Sequence, residues 1–319
     1  VGGKIIAAVV YLFIVYLTNV AYICGGQDLI LKLTDLDISG YFAASLFVGV
    51  FGWVILLGSR SVGAINSFFF ILLVSVYGCI LISGAFNIKI DNLLSTMNWS
   101  RVYTIIPLFL TSFSFQMIVP NLANYLKYNR FFIYTAIISG TLLSAILYIM
   151  WNGVVLGSLA GSDAEVLALS YANGSFPGGA LAPSGAVFYQ NAVQIFSILA
   201  IITSFIGLSW GLLGFLSDAL RVESKGWGRV CLWFLVMFPP LVVSQFWQHG
   251  FIGALETTGG YGDAILNGII PVLVFITGSR QKRITASFSW LFNNWILVGI
   301  VLFSLGVLLL EFMLQYKFL

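Results

Sequence analysis

The chain has 319 residues, of which 60% are hydrophobic and only 8% are charged, and its mean hydropathy is +1.03. A soluble domain has about 25% charged residues, so this composition excludes the water-soluble classes of enzyme and binding protein. The formal charge of +3 comes from basic residues scattered over short loops, which argues against a nucleic-acid partner because no basic stripe is formed.

Long apolar runs dominate the sequence, and their solvent is a lipid bilayer. In hydrocarbon every backbone polar group needs a partner within the protein, so such runs form helices. With about 20 apolar residues for each crossing, the sequence predicts an all-α polytopic membrane protein with about nine transmembrane helices in a single domain, residues 1–319. The predicted spans are Ile5–Cys24, Phe42–Gly58, Ile65–Ala85, Ile105–Leu126, Phe131–Leu159, Ala192–Leu220, Val230–Phe246, Phe251–Thr277 and Ile296–Leu314.

The positions of the basic residues predict the orientation, since Lys and Arg concentrate in cytoplasmic loops. If residue 1 lies inside, ten basic residues fall in inside segments and four in outside segments. The longest loop, about 160–191, contains no Lys or Arg and is predicted to lie outside. Residue 1 is therefore predicted on the cytoplasmic side.

The first predicted span carries two polar residues, Asn19 and Tyr22, that lie three positions apart and so share one helical face. Asp28 follows near the outer end of this span. An acid near a span end needs no special role, because the cost of burying a charge is largest at the bilayer centre. Asp28 is thus interpreted either as a structural charge or as a coupling or gating group.

The fourth predicted span is unusual because residues 111–126 read TSFSFQMIVPNLANYL. Thr111, Ser112, Ser114 and Gln116 bring polar side chains into an apolar stretch. Pro120 removes a backbone donor and clashes with the carbonyl group four residues earlier. The sequence therefore predicts a broken or unwound helix upstream of Pro120.

Irregular backbone at membrane depth is tolerated only where it is buried in protein or lines a watery cavity. In transporters the amides freed by such a break bind an anionic substrate group. We interpret the segment as an amino acid or carboxylate site rather than a simple kink. Phe113 and Phe115 would then pack against an apolar or aromatic side chain of the substrate.

The later spans contain further polar candidates. Thr203, Ser204, Gly207 and Ser209 form a small polar face on the sixth span. Asp218, near its inner end, either pairs with Arg221 or gates the pathway and binds a proton. Glu311 is predicted to extend its carboxylate toward the membrane surface. The isolated residues Cys24, Cys79, Cys231 and His249 offer no metal or catalytic cluster.

Several of these stretches resemble one family. The run Thr111–Gln116 followed by Pro120 is similar to the TSFGFH…VP segment of the bacterial hydroxy/aromatic amino acid permeases, which belong to the amino acid-polyamine-organocation superfamily and include the tyrosine and tryptophan carriers. Residues 203–207 and 216–218, TSFIG and LSD, resemble the family's TSFLG…LAD helix. Residues 238–241, FPPL, and 270–271, IP, match its later motifs, and Tyr22, Ile23 and Asp28 resemble its A-Y-I-S-G-x-x-E-L stretch.

The resemblance implies an eleven-helix LeuT-like inverted-repeat fold, in which Val1 begins just before the third helix. The chain is then expected to be N-terminally truncated and to correspond to family helices 3 to 11. The implied function is secondary active import of tyrosine or tryptophan through the bacterial inner membrane, by alternating access, with a proton as the coupling ion and no other cofactor. The implied substrate-binding residues are Asn19, Tyr22, Thr111, Ser112, Phe113, Ser114, Phe115, Gln116 and Ser204, with Asp28 and Asp218 as coupling candidates. The amides around Thr111–Ser114 are expected to bind the substrate carboxylate.

Two departures from the family pattern stand out: Ser114 replaces a glycine, and Gln116 replaces a histidine that can titrate near neutral pH, whereas an amide cannot. Two alternatives stay open, a polytopic membrane enzyme and a channel or non-transporting member of the same fold. The sequence leaves open the choice between tyrosine and tryptophan, and the oligomeric state.

Overall fold

A computed structural model of the chain describes residues 2–34, 38–95, 99–116, 118–158, 187–247, 250–280 and 293–316, together with Glu165 and Leu169. All regular structure in these residues is helical. In chain order the helices are α1 Gly2–Thr34, α2 Gly40–Leu56, α3 Ser59–Ala85, α4 Ile90–Ser95, α5 Ile106–Ser112, α6 Val119–Tyr125, α7 Arg130–Ser158, α8 Val187–Leu220, α9 Gly226–Phe246, α10 Gly250–Thr257, α11 Ile270–Arg280 and α12 Asn294–Gln315. A 3₁₀ helix, Trp99–Ile105, precedes α5, and a π-helix, Thr258–Ile269, joins α10 to α11.

Seven helices in the described part of the chain are long and apolar enough to cross a membrane. They are Gly2–Lys32, Ser59–Ala85, Arg130–Ser158, Phe188–Leu220, Gly226–Phe246, Gly250–Ser279 and Asn294–Gln315. The second and fourth of the nine predicted spans correspond to shorter apolar helices, Gly40–Leu56 and Val102–Ser112. The fourth is short because the helix ends at Ser112. Most of the predicted outer loop, together with His249, lies outside the described residues.

The chain forms two compact units. The first unit comprises Val1–Leu17, Trp99–Tyr128 and Leu255–Leu319, and the second comprises Thr18–Asn98 and Asn129–Ala254. In the first unit, the π-helix packs against α5 and α12. In the second, α3 packs against α8, and α2 packs against α9 and α8.

The core of the second unit is built on close contacts between aromatic rings and glycines. The ring of Phe47 lies 5.0 Å from that of Phe205, and both side chains are almost completely buried. A Cβ atom at Gly26 would lie 2.4 Å from the Phe47 ring, so the absence of a side chain there lets the two helices approach. Another aromatic cluster forms where Trp151 stacks on Phe196, with ring centroids 4.7 Å apart.

Two side chains of α9 reach the last turns of α2. The indole Nε1 of Trp233 donates to the Gly52 carbonyl at 2.7 Å. Arg229 donates from Nη1 to the Leu56 carbonyl at 3.2 Å and from Nε to the Ser224 carbonyl at 2.8 Å. The Leu56 carbonyl is one of the last of its helix and has no acceptor role within it, so Arg229 caps the C-terminus of α2.

We expect Trp233→Phe to lower the free energy of unfolding by about 1 kcal/mol, because it removes one neutral hydrogen bond and keeps an aromatic ring in the packing. For a protein of this size, this corresponds to a fall of about 2–4 °C in the melting temperature measured in detergent. Trp227→Phe on the same helix is the matched control, since Trp227 is 83% exposed. Equal melting temperatures for the two variants would contradict the role of the Trp233 bond.

Candidate functional site

The helical path through residues 106–125 is interrupted between α5 and α6. Helix α5 ends at Ser112, residues 113–116 are not helical, and α6 begins at Val119 with Pro120 in its second position. Proline is favoured in the first turn of a helix because it has no amide to leave unpaired there. The proline therefore starts the second short helix, and the interruption lies immediately upstream of it.

The backbone amides of residues 113–116 differ in whether they donate to a backbone carbonyl. The amide of Phe113 donates to the Phe109 carbonyl at 3.2 Å, and that of Ser114 donates to the Thr111 carbonyl at 3.0 Å. The amides of Phe115 and Gln116 have no backbone acceptor among the described residues. An anionic group would therefore find its free donors at positions 115 and 116 rather than at 111–114.

Side chains of the predicted site fall into three groups. Thr111 and Ser112 make structural bonds, from Thr111 Oγ1 to the Leu255 carbonyl at 2.7 Å and from Ser112 Oγ to the Leu108 carbonyl at 2.9 Å. The Phe113 ring stacks on Phe109, with centroids 6.1 Å apart, and Phe115 is 40% exposed. The remaining two, Ser114 and Gln116, form a polar network with a residue from the π-helix.

Asp263 of the π-helix is the centre of this network. Its Oδ1 accepts hydrogen bonds from Ser114 Oγ, from Gln116 Nε2 at 2.9 Å and from Asn267 Nδ2 at 3.2 Å. Asp263 is completely buried, and within the described residues its Oδ2 is buried without a hydrogen-bond partner. One carboxylate oxygen is thus saturated with donors while the other has none.

All three donors to Asp263 are neutral, although an isolated buried carboxylate costs several kcal/mol. Hydrogen bonds to a charged group contribute about 1.5–3 kcal/mol each, so the three bonds offset a substantial part of that cost. The bonds also tie the interrupted segment to the π-helix. A long-range polar network of this kind couples the charge on Asp263 to the geometry of residues 114–116.

Ser114 occupies a branching point in the network. Its Oγ lies within hydrogen-bonding distance of Asp263 Oδ1 and 2.8 Å from Gln116 Oε1. Asn267 Nδ2 can donate to the same Ser114 oxygen at 3.4 Å. A serine hydroxyl has a single hydrogen, so Ser114 donates either to Asp263 or to Gln116, and the two arrangements exclude each other.

Glycines allow the close packing that brings Asp263 to the break. The π-helix contains Gly259, Gly260, Gly262 and Gly268, all buried. A Cβ atom at Gly259 would lie 1.8 Å from the Pro107 carbonyl oxygen and 2.5 Å from Thr111 Oγ1, and one at Gly268 would lie 1.8 Å from Ser304 Oγ. π-Helical turns are rare and occur frequently at functional sites. Here the turn carries Asp263 and Asn267 on the face that meets the break.

A cavity of about 370 Å³ adjoins this network. Asp263, Asn267 and Ser304 supply its polar atoms. The apolar part is lined by Leu110, Ala264, Gly268, Ile296, Gly299, Ile300 and Phe303. Small-molecule sites have volumes of about 300–1,000 Å³ and combine apolar walls with a few polar groups, so the cavity has the size and lining of such a site.

Glu311 is buried, and the prediction that it extends toward the membrane surface is wrong. It is 3% exposed, and its Cγ would lie only 2.4 Å from a Cβ atom at Gly260. The missing side chain at Gly260 leaves the space that Glu311 fills. Gln315 Nε2 donates to Glu311 Oε1 at 3.0 Å and to Thr257 Oγ1 at 3.0 Å, which fixes the carboxylate between α12 and the π-helix.

The other predicted site residues lie in the second unit. Asn19 is completely buried and accepts from Ser209 Oγ at 3.1 Å through its Oδ1, while its Nδ2 has no partner among the described residues. The Tyr22 hydroxyl lies beside the Ser204 side chain. Asp28 is partly buried and Asp218 is exposed. That these residues and the break complete one pocket stays a prediction.

Sequence reasoning missed Asp263, although a signal was present. Asp263 lies near the middle of the predicted span Phe251–Thr277, and an ionisable residue at that depth is by default a candidate for function. Asn267 follows one helical turn later on the same face. The acids singled out from the sequence, Asp28 and Asp218, are both nearer to span ends.

Comparisons with known proteins agree with one another. The model of the tryptophan/tyrosine permease family matches residues 1–311. The chain is 30% identical to tyrosine-specific transport system 1 of Haemophilus influenzae, over 96% of this chain and 76% of that protein, and 28% identical to tyrosine-specific transport system 2 of the same organism, over 100% and 80%. It is 25% identical to the low affinity tryptophan permease of Escherichia coli K12, over 97% and 77%. No solved structure matches the chain significantly.

Proposed function

Because this chain belongs to the tryptophan/tyrosine permease family, we propose that it imports tyrosine or tryptophan across the bacterial inner membrane as a proton-coupled secondary active transporter. Its matched relatives are named as transport systems and permeases for these two amino acids, and its apolar helices make it a multi-pass membrane protein. The basic residues favour an orientation with residue 1 in the cytoplasm.

The observation that carries the proposal is the interrupted helix between α5 and α6. The amides of Phe115 and Gln116 are free of backbone acceptors among the described residues and can bind the substrate carboxylate. Phe115 is 40% exposed and offers a ring on which an aromatic side chain can stack. A broken helix with free amides beside exposed aromatic surface suits a zwitterionic aromatic amino acid.

Transport in this proposal proceeds by alternating access in a LeuT-like inverted-repeat fold, with one bundle rocking against the other around a site near the midplane. Asn19, Tyr22 and Ser204 of the second unit are further candidate substrate-binding residues. The Nδ2 of Asn19 is buried and has no partner among the described residues, which supports this assignment because a ligand can supply the acceptor. Asp28 and Asp218 remain candidate gating groups.

Uptake of radiolabelled tyrosine and tryptophan by cells expressing the protein tests this function. We expect saturable accumulation of at least one of the two amino acids above the external concentration, and loss of accumulation when an uncoupler dissipates the proton gradient. Cells carrying an empty vector provide the control. Uptake of neither amino acid would refute the substrate, unsaturable and non-concentrative uptake would indicate a channel, and uptake insensitive to the uncoupler would refute proton coupling.

A further inference from the structure

The network around Asp263 contains one group that can exchange a proton. Ser114, Gln116 and Asn267 do not titrate in water at ordinary pH, whereas a carboxylate does. Asp263 Oδ2 is buried without a hydrogen-bond partner in the described part of the chain, so one position on the carboxylate is open for a proton. No lysine, arginine or histidine bonds to Asp263 within the described residues.

We propose that Asp263 carries the proton that is coupled to substrate movement, and that Ser114 transmits its protonation state to the substrate-binding break. This inference rests on the proposed function and assigns its coupling step to a residue. It differs from the assignment of coupling to Asp28 or Asp218, because neither of those acids belongs to the unit that contains the break.

The transmission follows from the single hydrogen of the Ser114 hydroxyl. When Asp263 is ionised, Ser114 donates to its Oδ1, as the structure has it. A proton taken up on Oδ2 reaches Ser114 when the carboxyl group turns about its Cβ–Cγ bond. The protonated oxygen then donates to Ser114 Oγ, and the Ser114 hydrogen turns to Gln116 Oε1, which lies 2.8 Å away. Protonation thereby reverses one hydrogen bond and forms another within residues 114–116, where the free amides lie.

The protein surroundings favour exchange of a proton over a permanent charge. Titratable side chains of the first unit on the elements that pack around the π-helix are Lys4, Tyr11 and Tyr16 of α1, Glu256 of α10, Tyr261 of the π-helix itself, Arg280 of α11, and Glu311 and the adjoining Tyr316 of α12. None of them bonds to Asp263 in the described residues, whose only partners are three neutral groups. Without a fixed counter-charge, the buried carboxylate is stabilised by gaining a proton.

Glu311 is the rival acid in this unit. It is almost as buried as Asp263, but its carboxylate bonds to Gln315 of its own helix, which in turn contacts Thr257 and Tyr261. No contact links Glu311 to residues 113–116 in the described structure. Glu311 therefore lacks the path through Ser114 by which protonation reaches the break.

Asp263→Asn tests the proposal in proteoliposomes containing the purified protein. We expect proton-gradient-driven accumulation of substrate by this variant to fall at least tenfold. Exchange of internal for external substrate in the absence of a gradient should persist at a reduced rate. Glu311→Gln is expected to retain gradient-driven accumulation. Glu223→Gln, in the exposed turn between α8 and α9, is the matched control and should behave as the wild type.

The outcomes distinguish failure of the proposed transport function from failure of the assignment of the proton to Asp263. If the wild type neither exchanges nor accumulates tyrosine or tryptophan, the proposed function fails. If Asp263→Asn accumulates substrate as well as the wild type, only the assignment of the proton to Asp263 fails. If a sodium gradient drives wild-type uptake in place of a proton gradient, the proton coupling in the proposed function fails together with that assignment.

A second variant keeps the test decisive if Asp263→Asn is inactive in both assays. Asp263→Glu retains a carboxylate but displaces it by one methylene from Ser114 and Gln116. We expect its uptake to depend on pH with a midpoint displaced from that of the wild type. A midpoint identical to that of the wild type would overturn the assignment.

Discussion

Replacement of Gly259 by alanine is expected to abolish transport by preventing the native packing of the first unit. The new Cβ atom would lie 1.8 Å from the Pro107 carbonyl oxygen, which is backbone and cannot rotate away. Overpacking of a core costs about 1–3 kcal/mol, occasionally more, and we expect about 3 kcal/mol or more here because helix α5 must move. The measurements are the melting temperature in detergent and the initial rate of substrate uptake.

Gly306→Ala is the matched control, since a Cβ atom at Gly306 on α12 would meet nothing within 4 Å. It should leave both melting temperature and uptake within error of the wild type. A Gly259→Ala variant that melts and transports like Gly306→Ala would show that α5 and the π-helix do not pack as closely as the structure has them. Gly268→Ala should be less damaging than Gly259→Ala, because it meets the Ser304 side chain rather than backbone.

Ser114→Ala is expected to reduce the ratio of the maximal uptake rate to the half-saturating substrate concentration by about tenfold or more. The substitution removes a hydrogen bond to a charged group, which contributes about 1.5–3 kcal/mol, and 1.4 kcal/mol corresponds to a factor of ten. It also leaves Gln116 Oε1 without the hydroxyl that lies 2.8 Å away. Initial uptake rates over a range of substrate concentrations measure the effect, with protein abundance in the membrane as the normalisation.

Ser75→Ala provides the control for Ser114→Ala, since within the described part of the chain the Ser75 hydroxyl donates only to the Ile71 carbonyl of its own helix, at 2.8 Å. We expect its uptake to stay within twofold of the wild type. Uptake by Ser114→Ala that is equally unaffected would contradict a role for the Ser114 hydroxyl in the site. Ser114→Thr, which keeps the hydroxyl, should recover part of the lost activity.

The interruption of the helix is the part of the site that the local sequence predicts. Pro120 and the polar run before it predict an unwound backbone, because proline lacks an amide and excludes the helical carbonyl behind it. The structure has residues 113–116 outside any helix. Which amides are free was beyond the sequence: those of Phe113 and Ser114 are engaged, since their acceptors depend on the exact turn geometry.

The burial of the two intramembrane acids cannot be predicted from the local sequence. Asp263 and Glu311 are visible in the sequence, but their burial depends on glycines of the π-helix. No local sequence pattern specifies which residues pack against that helix. Glu311 fills the space left at Gly260, and Asp263 meets Ser114 and Gln116, which precede it by nearly 150 residues. The burial of each acid is therefore a property of packed helices and not of its own segment.

The sequence by itself determined that the chain is helical and membrane-embedded, because hydrocarbon leaves no other partner for the backbone of long apolar runs. It also determined where one helix must break. Only the tertiary structure decided what faces that break, since the contact between α5 and the π-helix arises from the absence of side chains at Gly259 and from hydrogen bonds across distant segments. Such contacts are set by three-dimensional packing, in which one missing Cβ atom decides how closely two helices approach.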